Sequence, residues 1–129
     1  FVVEVKSHKK PTKLNAEQWL KSMHPWAGKF NGSSIGVSVS VFNYTQEKKG
    51  DGPRLHVHEY DEIFIIRKGV ALFKIGDELI EASEGDVLVG PAFIPHKFKN
   101  IGDTPLETTD IHMCSEYSQK WVDDPGDIW

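Results

Sequence analysis

Residues 50–69 read G-D-G-P-R-L-H-V-H-E-Y-D-E-I-F-I-I-R-K-G. This stretch places His56, His58 and Glu62 within seven residues. Successive side chains of a strand point to opposite faces, so His56 and His58, one residue apart, point the same way. Glu62 follows after Glu59-Tyr60-Asp61 and returns to that side if the chain bends there. Imidazole and carboxylate together suit first-row transition metals. A fourth such group, His96, opens a later strand-like segment and can close the set from across a barrel. Three imidazoles and one carboxylate leave one or two positions of an octahedral ion open, and open positions separate catalytic sites from structural ones.

Working outward, the pattern is that of short strands. We expect them near 54–58, 62–67, 70–75, 78–82, 87–89, 96–99 and 105–113, with turns at Lys68-Gly69, Gly76-Asp77, Glu84-Gly85-Asp86 and Asn100-Ile101-Gly102-Asp103. Upstream, Ile35, Val37, Val39 and Val41 alternate with Gly36, Ser38, Ser40 and Phe42 and predict another half-buried strand. Asn15 and Gln18 stand in capping-box positions before a helix predicted over 16–23. Residues 2–6 suit a short strand, and 118–122 a second short helix with Tyr117 and Trp121 on one face.

At this point the residues resemble the cupins. Their first motif, G-x5-H-x-H-x3-E-x6-G, is matched in full by Gly50, His56, His58, Glu62 and Gly69. Their second, G-x5-P-x-G-x2-H-x3-N, is matched by Gly85, Pro91, His96 and Asn100, with Phe93 where the family has its second glycine. That departure places a large ring near the site or forces a different turn. The resemblance covers roughly 37–113 and implies an all-β jelly-roll barrel, a double-stranded β-helix. We divide the chain into an N-terminal arm with a short helix (1–34), the cupin barrel (35–114) and a C-terminal helix and tail (115–129).

The resemblance also implies that His56, His58, Glu62 and His96 hold a divalent metal: iron, manganese, nickel, copper or zinc. It implies either a metal-dependent enzyme of oxygenase or isomerase type acting on a small organic molecule, or a non-catalytic ligand-binding or sensor module. Homodimers are common in the family, and the arm with Trp19 and the tail with Tyr117 and Trp121 could cover an interface or pack on their own barrel. Glu62 counts against the thiol-oxidising subclass, which replaces this glutamate; Cys114 fits a small buried apolar group.

Other residues are pocket candidates by parity. Arg54 shares a face with His56 and His58 and would suit a carboxylate or phosphate if it points inward; otherwise it is a surface arginine at the barrel mouth. Phe64 and Phe98 share faces with Glu62 and His96. Asp110 and His112 share a face of the last long strand, where His112 could orient a ligand or act as a base, or be a satisfied core histidine. Tyr60 suits a gate, a proton donor or simple packing. His8 and His24 fall outside the barrel.

Composition narrows the remaining classes. The 129 residues suit one domain. Hydrophobic residues make up 39 % and charged residues 26 %, with a net charge of −4. No basic face stands out, which disfavours nucleic acid, and no apolar run approaches a membrane span. The single cysteine fits the cytoplasm. The chain begins at Phe1 rather than Met, so the lack of a signal-peptide pattern excludes targeting only weakly.

Overall fold

The computed structural model describes residues 10–125. One short helix, α1 (Ala16–Trp19), precedes eleven strands. They are β1 (Leu20–Ser22), β2 (Ala27–Phe30), β3 (Ser40–Gln46), β4 (His56–Val57), β5 (Glu62–Lys68), β6 (Val70–Ile75), β7 (Glu78–Ser83), β8 (Val87–Gly90), β9 (His96–Asn100), β10 (Leu106–His112) and β11 (Lys120–Trp121). They form two antiparallel sheets, ordered β1-β2-β3-β10-β5-β8 and β11-β4-β9-β6-β7. This is the all-β barrel expected from the strand spacing.

The inner faces divide the barrel into two halves. One is apolar: Phe64, Ile66, Ala71, Phe73, Ile75, Ala82, Leu88, Phe98 and Leu106 form a continuous core. Phe73 stacks on Phe98 with ring centroids 4.9 Å apart, and Phe64 packs on Phe73 at the same distance. Each fully buried ring of this kind contributes about 2–3 kcal/mol. The other half is ionisable, and the change occurs at matching levels of neighbouring strands. On β5 Phe64 gives way to Glu62, and on β10 their partners are Asp110 and His112. On β9 Phe98 gives way to His96.

Gly69 turns β5 into β6 at a φ of 90°, and a Cβ there would meet the Pro105 carbonyl oxygen at 2.8 Å. Only glycine fits both constraints.

Four expectations are corrected or fall outside the described residues. The helix predicted over 16–23 keeps its capping box at Asn15 and Gln18 but stops at Trp19. Leu20 pairs with Gly28 instead, and Trp19 packs edge-on against Trp26 and Phe30, so sheet pairing overrides the helical spacing. The strand expected from Ile35 begins at Ser40, with opposite parity: Ser40 and Phe42 face inward, and Val41 pairs with Phe30 and Ile111. Ser40 Oγ donates to the Cys114 carbonyl at 2.8 Å and accepts from Gly32 N at 2.9 Å, which anchors that parity. The C-terminal helix is replaced by β11, which pairs with β4 through Lys120–Val57 and Trp121–His56. The strand expected over 2–6 lies outside the described residues. Within the segment read as an N-terminal arm, β1 and β2 extend the six-stranded sheet.

Candidate metal centre

Two features of the chain path bring the ionisable groups together. His56 and His96 are direct cross-strand partners. Residues 59–61 bend the chain so that Glu62 re-enters on the same side. That bend is pinned by Asp61, whose Oδ1 accepts from Ala92 N at 2.8 Å and whose carbonyl accepts from Met113 N at 3.0 Å. One ligand atom from each of His56, His58, Glu62 and His96 then lies within 4.8 Å of the others, and all four residues are buried.

Hydrogen bonds behind the rings set the histidine tautomers. His56 Nδ1 donates to the Arg54 carbonyl at 2.6 Å, and His58 Nδ1 donates to the Ser118 carbonyl at 2.7 Å. A carbonyl oxygen only accepts, so the proton is on Nδ1 and each Nε2 keeps its lone pair. His58 Nε2 and His96 Nε2 approach Glu62 Oε1 to 3.0 and 3.2 Å. Even so, His58 Nε2, Glu62 Oε1 and both nitrogens of His96 make no hydrogen bond of acceptable geometry among the described residues. Buried polar atoms are rarely left without partners, and lone pairs converging on one point are what a cation satisfies. His56 is driven down to about 4 by burial, so it is a neutral donor at neutral pH. Burial pushes Glu62 up, but the close approach of His58, His96 and His112 outweighs it and holds the carboxyl at about 2. Neutral imidazoles around an ionised carboxylate form a donor set that suits a divalent metal.

His112 stands beside this set, its Nε2 3.4 Å from Glu62 Oε2. Its Nδ1 lies 2.9 Å from Tyr60 Oη, which donates onward to the Ser118 carbonyl at 3.0 Å. Tyr60 also stacks on His58, centroids 4.7 Å apart. Of the three roles weighed for Tyr60, gate, proton donor and simple packing, packing is present, beside the contact with His112.

A cavity of about 230 Å³ opens beside the cluster. Phe42, Phe64 and Phe98 give it apolar walls, and Tyr44, Tyr117 and Asp110 give it polar ones. Burial, then the charge of Glu62, raises Tyr117 to about 12, so it remains a phenol. Trp121 completes the rim.

Three pocket candidates do not line this cavity: Arg54, Phe93 and Tyr60, the last of which stacks on His58. Arg54 is exposed, its guanidinium 4.9 Å over the Trp121 ring; only its carbonyl serves the site, through His56. The strand begins at His56 rather than Arg54, so no pleat carries the parity that far. Phe93 is 68 % exposed and turned away, with a left-handed φ of 65°. Its ring does not line the cavity, and Phe93 N donates to the His58 carbonyl at 2.8 Å. The reading from sequence missed Tyr44, Phe42 and the tail as cavity walls. The parity of β3 was reversed, and the aromatic residues Tyr117 and Trp121 were the only sign that the tail packs on the barrel.

Comparison with known proteins agrees with this geometry. The cupin domain family matches residues 43–112, more than half of the 129. An uncharacterized protein of Methanocaldococcus jannaschii, MJ1618, is 35 % identical over 69 residues, covering 53 % of this chain and 52 % of its own length. The chain thus spans about half of that relative. Among solved structures, a cupin-like protein of Thermotoga maritima superimposes with a TM-score of 0.68 at 20 % identity, over 80 % of this chain and 79 % of that one. Oxalate decarboxylase of Bacillus subtilis superimposes with a TM-score of 0.67 at 21 % identity, over 75 % of this chain and 28 % of that one. Fold, motifs and family match agree: the chain belongs to the cupin family.

Proposed function

We propose that His56, His58, Glu62 and His96 are the ligands of a divalent transition metal, and that the protein is a metal-dependent enzyme, of oxygenase or isomerase type, acting on a small organic molecule. The observation that carries this reading is the set of bare Nε2 lone pairs and the orphaned Glu62 Oε1 converging beside a cavity of about 230 Å³. A metal bound there would supply Lewis acidity, or a place for substrate and oxygen side by side. The chain's own residues do the rest. The Arg54 and Ser118 carbonyls hold the two imidazoles in one tautomer. Phe42, Phe64 and Phe98 exclude water and receive an apolar body. Tyr60 Oη and Glu62 hold the His112 ring between them.

Elemental analysis of the native protein and of His56→Ala tests the ligand set. About one metal ion per chain is expected, lost in the variant; unchanged content would sink the assignment. Oxygen consumption and turnover are then measured on iron- and manganese-loaded protein. Manganese has priority because the Bacillus subtilis oxalate decarboxylase has Mn(II) centres. Bound metal with no turnover across a broad panel would favour the non-catalytic ligand-binding reading.

We also propose a homodimer, packed through the outer face of the six-stranded sheet. Val89, Ile63, Ile111, Val41 and Phe30 form one apolar row across five strands of that face. Val89 is 55 % exposed, and rows of this kind mark interaction surfaces. Light scattering should give twice the chain mass, and Ile63→Lys should give the monomer. Among the described residues, no helix is long and apolar enough to cross a membrane. The lone cysteine, Cys114, is in keeping with a cytoplasmic location, which localisation of a tagged chain checks.

A further inference from the structure

Asp110 is not a member of the metal-ligand set, yet it is one of the most deeply buried charged residues, 2 % exposed. It sits where the apolar half of the barrel meets the ionisable half. Its ladder partners are Phe42 on β3 and Phe64 on β5. It lines the cavity, and its Oδ1 has no hydrogen-bond partner among the described residues. An orphaned buried acceptor costs about 1–3 kcal/mol, and native proteins meet such a group with ordered water, an ion or a bound molecule.

The other groups on the cavity wall define what that molecule is. No lysine or arginine lines the cavity among the described residues. The wall instead carries a second acidic group, Glu62, beside the uncharged polar side chains of Tyr44, Tyr117 and Gln119. A carboxylate buried without a cationic partner is heavily penalised. A hydroxyl or amino group facing Asp110 offers its carboxyl a donor without adding charge. The cavity is smaller than the roughly 300–1,000 Å³ of drug-sized pockets, so the ligand is compact. The aromatic walls at Phe42, Phe64 and Phe98 favour a flat apolar body.

We infer that Asp110 is a specificity-determining residue: it selects a compact ligand that presents a hydroxyl or amino donor to its carboxyl, and it rejects one that presents a second carboxylate there. The inference rests on the metal reading for one point, that the metal anchors the ligand's other end. Burial, then the negative charge of Glu62, holds the Asp110 carboxyl well above the usual carboxylate range, the direction expected where a further negative charge is disfavoured.

The test is calorimetric titration of manganese-loaded protein with benzoate, 3- and 4-hydroxybenzoate, isophthalate and terephthalate, with metal content measured in every sample. One hydroxybenzoate isomer should bind at least about tenfold tighter than benzoate and than either dicarboxylate. In Asp110→Leu the ratio of hydroxybenzoate to benzoate affinity should fall to about one, and Asp110→Asn should restore most of it. A dicarboxylate that binds as tightly as the hydroxy acids overturns the inference. So does an advantage that survives in Asp110→Leu, or a fully loaded protein that binds no member of the series. Failure of the metal reading is seen separately, as absence of manganese from the loaded samples. The series is then read on the metal-free cavity, where a hydroxyl preference lost in Asp110→Leu supports the inference and its absence overturns it.

Discussion

His58 Nδ1 donates to the backbone carbonyl of Ser118, 2.7 Å away and sixty residues later in the chain. The tail therefore orients a candidate ligand rather than trailing from the barrel. It is held there by β11 pairing on β4, by Val122 N donating to the Leu55 carbonyl, and by an ion pair between Lys97 and Asp124. Groups that orient a ligand imidazole are worth about 10–100-fold in metal affinity. Deleting residues 115–129 should weaken metal binding by about that factor. Metal titration checks this, with far-UV dichroism confirming that the barrel remains. Native affinity in the truncated chain would remove the tail from the site.

The parts that sequence reading reached and missed differ in range. The spacing His56, His58, Glu62 is local, and strand alternation with one bend suffices to place it. His96 needed only a second local motif and a barrel to carry it across. Of the two readings of Arg54 the surface one fits, because the strand starts at His56 and its parity does not extend two residues upstream. Val37, Val39 and Val41 suggested an inward apolar face, but this sheet is apolar on its outer face too. Alternation alone does not say which side is the core. Ser118 was illegible and Trp121 legible only as a residue able to pack on the barrel, because their partners, His58 and His56, are far away in sequence and the contact runs partly through backbone carbonyls that any residue supplies.

Acid should weaken the metal-free protein, starting well above the carboxylate range. Burial lowers His56 and His112 from 6.5 to about 4 in the folded chain. Below about pH 6.5 the unfolded chain binds protons that the folded chain refuses, so stability falls as pH drops through that window and the loss is complete near pH 4. Glu62 acts in the same direction at lower pH. Its carboxyl is held at about 2 against an ordinary 4.5, so the stability it contributes is present above 4.5 and lost between 4.5 and 2. Urea unfolding of metal-free protein at about pH 7.5 and about pH 5 should show a clear drop, with a shallower one in His112→Gln. A flat profile would mean that these rings are not buried as neutral groups.

Asn100 closes the second motif and should be among the least replaceable residues. It is fully buried, and its Nδ2 donates to the Gln46 carbonyl at 3.0 Å and the Thr104 carbonyl at 2.9 Å. Its Oδ1 accepts from Gly102 N at 2.8 Å. Asn100→Ala leaves three backbone groups unpartnered and should cost about 3 kcal/mol or more. Asn100→Asp keeps the acceptor but turns an oxygen toward two carbonyls, so it should also destabilise. Denaturant midpoints decide, and a loss below about 1 kcal/mol for both would contradict the role.

Phe93 stands where the family motif has glycine, and its backbone lies in the left-handed region that glycine adopts freely, with φ at 65°. A residue with a Cβ in the left-handed region costs about 1–2 kcal/mol. The ring, 68 % exposed, recovers little of this through packing. Phe93→Gly removes the backbone strain, while the greater freedom of glycine in the unfolded chain takes back about 0.4–1 kcal/mol. The net result should be a protein more stable by about 0.5 kcal/mol. Phe93→Val, β-branched and worst suited to positive φ, should be less stable than the native chain by about 1 kcal/mol. The bond from residue 93 N to the His58 carbonyl is available in all three, so the comparison isolates backbone strain. Paired denaturation curves should rank glycine above phenylalanine above valine. The reverse order at the first two places would mean that the exposed ring makes a contact worth more than the strain it imposes.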